Sequence, residues 1–146
     1  MQLPICTDGL ALPVSQELID VLNAVLKIDA RESTNLEHCN ALTFNFRDSN
    51  YSPDTGGYHP VEIRLSRRDN GFVFDYLTEF SFVGAGRAVE LAKEMDFDIN
   101  RGVFESRGLE PLAISKVATL YKLFEANFLA YHRMGVFEVS VEVERC

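Results

Sequence analysis

Three stretches of this chain alternate apolar and polar residues with a period of two. Leu42, Phe44 and Phe46 are separated by Thr43 and Asn45 and followed by Arg47, and Val61, Ile63 and Leu65 alternate with Glu62, Arg64 and Ser66. Near the end, Phe137, Val139, Val141 and Val143 alternate with Glu138, Ser140, Glu142 and Glu144. Successive side chains of a strand point to opposite faces, so each stretch can bury one face and leave the other wet. Strands patterned this way belong to an antiparallel sheet covered on one side only.

A fourth strand, Phe72 to about Val83, follows Asn70-Gly71, a pair suited to the positive φ angles of a type I′ hairpin turn. A two-residue loop there sets Leu65 opposite Tyr76, Ile63 opposite Thr78 and Val61 opposite Phe80. A loop longer by one residue would set Val61 opposite Glu79 and turn over every side chain of the fourth strand. The shorter loop is the expectation, and with it Glu62 faces Glu79.

Helices flank these strands. Ser15 is placed to N-cap a helix to about Lys27, with Leu18, Leu22 and Val25 as its apolar stripe. Residues 28–40 read as a loop. Gly84-Ala85-Gly86 leads to a short helix predicted over Ala88 to Met95, and Phe97 to Phe104 reads as a strand in two pieces. Pro111 suits the first turn of the longest helix, predicted over 112–134 with Gly135 as its C-terminal glycine. Val117, Leu120, Tyr121, Phe124, Phe128 and Tyr131 form its stripe. The expected fold class is therefore α+β, an antiparallel β-sheet flanked by helices, with a long C-terminal helix followed by a final strand, in one domain spanning 1–146.

Charge narrows the partners. The 22 acidic and 14 basic residues leave a net charge of −8, which repels phosphate backbones and disfavours nucleic acid. A basic protein or peptide is the electrostatic match, and solubility alone is the plainer account of the charge. Of the 146 residues 47% are hydrophobic and 25% charged, values that argue against disorder. No apolar run approaches the roughly 18 residues of a membrane span, and Met1-Gln2-Leu3-Pro4 lacks the basic start of a secretory signal. The three cysteines (Cys6, Cys39 and Cys146) are odd in number and without C-x-x-C spacing, so the expectation is free thiols in a reducing, cytoplasmic setting.

Few residues stand in a pattern that catalysis or cofactor binding requires. Gly84-x-Gly86 lacks the third glycine of a dinucleotide-binding turn, since Val89 stands there, and the strand before it belongs to a hairpin rather than a βαβ unit. Asp75 and Glu79 are expected on one strand face, but about 13 Å apart along the backbone, too far for a glycosidase pair. His38 beside Cys39 is the one local hint of metal ligands and is too small a set for zinc. His132, in the last turn of the long helix, suits the helix dipole. No cofactor and no metal are expected.

The segment from Arg47 through Asp48, Tyr51 and Tyr58 to His59 and Pro60 is the most informative loop. Its glycines and prolines fix turns, and its rings stand where loops usually meet solvent. Tyrosines pay little conformational entropy on binding and serve as interface anchors; the alternative is that they fold back over the end of the sheet.

The run Phe44-Asn45-Phe46-Arg47-Asp48, with Asn50-Tyr51-Ser52 and Thr55-Gly56-Gly57-Tyr58-His59-Pro60-Val61-Glu62-Ile63-Arg64, resembles an uncharacterised bacterial family, a domain of unknown function found in Vibrio and related marine gammaproteobacteria. The likeness continues in Phe80-Ser81-Phe82-Val83-Gly84, Glu90-Leu91-Ala92-Lys93-Glu94, Phe97-Asp98 and Phe124-Glu125-x-Asn127-Phe128. The resemblance implies a fold similar to the acidic mitochondrial matrix glycoproteins that bind complement, which are multi-partner binding proteins and often oligomers. It carries over no catalytic residues.

The leading expectation is a non-enzymatic binding module that holds a protein or peptide partner. Its candidate binding residues are Arg47, Asp48, Tyr51, Tyr58, His59, Glu62 and Arg64, with Arg47 and Asp48 orienting the loop. A small enzyme using His59 with Asp48 or Glu62 is the second reading. A structural subunit or homo-oligomer joined through a sheet edge is the third.

Overall fold

A computed structural model of the chain describes residues 4–29, 39–69 and 71–145. Most of the loop expected over 28–40, including His38, lies outside the described residues, as do Asn70 and Cys146.

Seven strands form one sheet: β1 (Cys39–Arg47), β2 (Val61–Arg68), β3 (Gly71–Val83), β4 (Glu90–Asp98), β5 (Val103–Ser106), β6 (Leu112–Ala113) and β7 (Glu138–Arg145). Their order is β6-β5-β4-β3-β2-β1-β7, and every ladder is antiparallel. Thus β1 to β6 meander, and β7 returns after the long helix to pair with β1. Two helices, α1 (Gln16–Asp29) and α2 (Ala118–Arg133), supply the residues that bury the apolar face. Leu18 and Leu22 of α1, and Tyr121, Phe124 and Phe128 of α2, join Leu42, Phe44, Phe46, Ile63, Leu65 and Leu77 in one core. The fold is α+β. No helix among the described residues is long and apolar enough to cross a membrane.

Helix α1 begins as its sequence dictates, with the Leu18 N–H donating to the Ser15 hydroxyl at 3.2 Å. The Ser15 N–H in turn donates to the Glu125 carboxylate of α2 at 3.1 Å, and the Tyr121 hydroxyl donates to the same carboxylate at 2.7 Å. Glu125 is only 6% exposed, so a buried charge ties the start of α1 to the middle of α2.

Four expectations need correction. The hairpin between β2 and β3 turns one residue early: Arg68 pairs with Gly71 across Asp69-Asn70, and Asp69 takes the positive φ of 54°. Gly71 is used for a close approach instead. The Pro4 carbonyl accepts from the Phe72 N–H at 2.8 Å, and a Cβ on Gly71 would sit 2.9 Å from that carbonyl oxygen. A bulge at Arg64/Leu65 then shifts the ladder, so that Ile63 faces Leu77 and Val61 faces Glu79. The bulge keeps Phe72, Phe74 and Leu77 all in the core despite the changed spacing. Glu62 therefore faces Thr78 rather than Glu79, and Asp75 and Glu79 lie on opposite faces of β3.

The helix predicted over Ala88 to Met95 is strand β4, preceded by a single 3-10 turn at Gly86–Ala88. Glu, Leu, Ala, Lys and Met favour helix locally, but the long edge of β3 offers a full ladder from Val83 to Tyr76, and that pairing wins. The long helix starts at Ala118, not at 112. Leu112 and Ala113 pair with β5, and a 3-10 turn, Ile114–Lys116, precedes α2, so Pro111 is outside its first turn. Finally, His132 does not serve as a simple cationic cap. Its ring packs edge-on to Phe46 at 5.6 Å, and burial lowers its pKa below the ordinary 6.5.

Candidate functional site

The loop joining β1 to β2 is built around Asp48. One carboxylate oxygen accepts from the Asn50 N–H at 2.9 Å and the other from the Tyr58 N–H at 3.0 Å. Gly57 makes that closure possible: its φ is 138°, and a Cβ there would lie 2.8 Å from the Tyr51 Cα. Ser52 and Gly56 close a small inner ring through paired backbone hydrogen bonds of 3.2 and 2.9 Å. The loop is thus pinned at both ends and its middle.

Its aromatic residues divide. Tyr51 folds back, stacking on Phe82 at 4.8 Å while its hydroxyl accepts from the Phe82 N–H at 2.9 Å. Tyr58 leans on Tyr131 of α2, ring to ring at 4.7 Å. His59, 5.3 Å from the Tyr51 ring, meets Glu79 with its Nδ1 2.9 Å from a carboxylate oxygen. The expected partners Asp48 and Glu62 are engaged elsewhere, so the acid beside the histidine comes from β3.

A groove of about 410 Å³ opens between this loop and α2. Val61, Phe124, Phe128 and Phe137 form its apolar lining, and Leu120, Leu123 and Tyr131 bring in the helix side. Tyr58, His59 and Glu79 supply the polar end, and Met95 reaches in from β4. Leu123 is 59% exposed, an apolar side chain held in water at the rim. A pocket mainly apolar with a few converging polar groups is the usual form of a binding site.

The candidate residues chosen from the sequence fall in two places. Tyr58 and His59 line the groove, with Tyr51 behind His59 and Asp48 ordering the loop. Arg47 is exposed at the end of β1, opposite Glu138 in the ladder. Glu62 and Arg64 lie on the far, polar face of the sheet. There Tyr76 donates to Glu62, and Arg64 bridges Asp75 at 2.8 Å and Glu144 at 2.9 Å. Burial works against the Arg64 charge, but the two carboxylates outweigh it and raise its pKa. Burial and the Glu62 carboxylate raise the Tyr76 pKa as well. Asp75 is 2% exposed and also accepts from Ser66 at 2.7 Å, which makes this a tied-down polar network rather than a continuation of the groove.

Glu79, Leu123 and Glu125 were not among the candidates. Glu79 reaches the groove side only through the bulge at Arg64/Leu65, which no turn pattern in the sequence announces. Leu123 was visible as an apolar residue outside the helix stripe. Nothing in a single sequence marks Glu125, whose partners come from its own helix and from a residue 110 positions away.

Among the described residues no group of three or more His, Cys, Asp or Glu side chains is arranged to hold a metal. Cys39 is buried, its thiol 3.1 Å from the Ala41 carbonyl, and burial raises its pKa. Cys6 is an exposed free thiol.

No curated protein matches the chain. Among the solved structures that match are two from Vibrio cholerae. The hypothetical protein VC0508 from the VSP-II pathogenicity island is 32% identical, with a TM-score of 0.88 over 98% of this chain and all of that one. The conserved hypothetical protein VC1805 from pathogenicity island VPI-2 is 34% identical, with a TM-score of 0.75 over 90% of this chain and 96% of that one, and is described as sharing structural homology with the human P32 protein. A family model matches residues 16–142, from the first turn of α1 into β7. On that match the chain belongs to the DUF2787 family of proteins of unknown function.

Proposed function

We propose that this protein is a non-enzymatic binding module whose groove between the β1–β2 loop and α2 holds a segment of a protein or peptide partner. The observation that carries the reading is the groove itself: about 410 Å³, mainly apolar, with His59 and Glu79 paired at one end and Leu123 exposed at the rim. An apolar side chain of the partner would enter over Phe124 and Phe128. A cationic group beside it would meet Glu79, in keeping with a net charge of −8. The likeness of VC1805 to P32, and the resemblance to acidic glycoproteins that bind other proteins, favour a protein partner over a metabolite.

Tyr58 and His59 are contact residues in this reading, and Asp48 and Tyr51 hold them in place. Arg47 flanks the loop, while Glu62 and Arg64 act only through the sheet beneath it.

Selection of peptides from a random displayed library, repeated with Leu123→Lys, tests the reading. Leu123 is exposed, so the change should leave melting within about 2 °C, because surface substitutions stay within about 0.5 kcal/mol. Peptides carrying an apolar anchor next to Lys or Arg should be enriched by the wild type and lost by the variant. Equal enrichment by both would refute the groove as the contact.

A further inference from the structure

Among the described residues the sheet has two edge strands, and they are unlike. At one end β6 has two residues, too short to template another strand. At the other end β7 runs eight residues, Glu138–Arg145, without proline or glycine. It pairs with β1 on one side, and among the described residues no strand pairs with its other side. Alternate residues of an antiparallel edge strand turn their N–H and C=O groups outward, so an eight-residue edge is a ready template.

The side chains say what that template fits. Val139, Val141 and Val143 are partly buried against the core, while Glu138, Ser140, Glu142 and Glu144 are exposed on the other face. A second copy of β7 is a poor fit. An antiparallel pairing that keeps the valines on one face must align residues of the same parity. Each such alignment longer than about three residues sets a Glu opposite a Glu: Glu142 on itself, Glu138 on Glu144, Glu138 on Glu142, or Glu142 on Glu144. Like charges placed directly opposite one another destabilise a sheet.

We infer that the free edge of β7 takes an extended segment of another protein in which Lys or Arg alternates with apolar residues. The basic side chains lie beside Glu138 and Glu142, Glu144 being bridged by Arg64, and the apolar ones continue the layer formed by Val139, Val141 and Val143. The backbone of the segment adds an eighth strand. Strand addition of this kind draws affinity from main-chain hydrogen bonds and selectivity from alternate side chains. This contact is separate from the groove and does not depend on it.

The probe is a synthetic peptide of about eight residues alternating Lys and Val, with a Glu-Val peptide and a scrambled Lys/Val peptide as comparisons. The alternating basic peptide should bind at least about tenfold more tightly than either and slow amide exchange within residues 138–145. Methylating either all its Lys amides or all its Val amides should abolish binding in one of those two peptides and spare the other, because only one set faces the edge. The double change Glu138→Lys with Glu142→Lys, at two exposed positions, should reverse the preference toward the Glu-Val peptide. Equal binding of the scrambled peptide, no loss from either methylation, or an unchanged preference in the double variant would overturn the inference. Loss through Leu123→Lys but not through the double variant would assign the peptide to the groove and likewise overturn it.

Discussion

Tyr121→Phe isolates the tie between the two helices. The Tyr121 ring is fully buried and packs edge-on to Phe97 at 5.3 Å, so phenylalanine preserves the packing and removes only the hydroxyl. That hydroxyl donates at 2.7 Å to Glu125, itself 6% exposed, whose same oxygen also accepts from the Ser15 N–H at 3.1 Å. Burial and the neighbouring carboxylate raise the Tyr121 pKa strongly, the expected sign for a phenol that must stay protonated to donate. A hydrogen bond to a charged group contributes about 1.5–3 kcal/mol, and its loss leaves a buried carboxylate short of a donor. At about 2–4 °C per kcal/mol for a chain of this length, melting should fall by roughly 3–12 °C. Urea titration followed by far-ultraviolet circular dichroism suits the measurement, since the chain has no Trp. A midpoint shift equivalent to less than about 0.5 kcal/mol would refute the argument, because a bond to water would then replace the phenol without cost.

Three further outcomes are expected. Phe124→Ala removes a ring 5.2 Å from Phe97 and should destabilise by about 3–5 kcal/mol in the same titration; under about 1 kcal/mol would mean that the ring is not part of the core. Gly57→Ala forces a side chain against the Tyr51 Cα and the Asp48 carboxylate at a φ of 138°, so proteolysis within residues 48–58 should quicken while β1 and β2 stay protected. His132 titrates below its ordinary 6.5 in the folded state, so the unfolded chain takes up the proton first. Its contribution is complete above about pH 6.5 and is lost as pH falls through the folded pKa. His132→Gln should flatten the decline in stability from pH 7 to 5, and a slope equal to that of the wild type would count against its burial.

Period-two alternation made β1, β2 and β7 legible to within three residues at either end, because each buries one face and wets the other. The stripe of α2 was legible for the same reason. What failed was what local chemistry cannot decide. Asn70-Gly71 is a good turn, yet Gly71 is needed in the ladder, where the chain at Pro4 passes too close for a side chain. The earlier turn leaves the faces of β3 as expected, and it is the bulge at Arg64/Leu65 that turns Leu77 into the core and Glu79 to the groove side. Strand β4 shows tertiary pairing overriding propensity: its residues favour helix, and the ladders with the thirteen-residue β3 on one side and β5 on the other make a strand of them. At the site, Tyr58 and His59 were legible as ring-bearing loop residues. Glu62 and Arg64 were near them in sequence but on the opposite face, since adjacent strand residues point in opposite directions.

A partner docked in the groove between the β1–β2 loop and α2 would perturb the amides that line it. Amide shift mapping of isotope-labelled protein with a library-selected peptide reads this out residue by residue. Shifts should concentrate at Gly57 to His59, at Glu79 and from Leu120 to Tyr131, and vanish in Leu123→Lys. Shifts centred instead on Glu62, Arg64 and Tyr76, with the α2 amides unmoved, would place the contact on the polar face of the sheet and contradict docking in the groove.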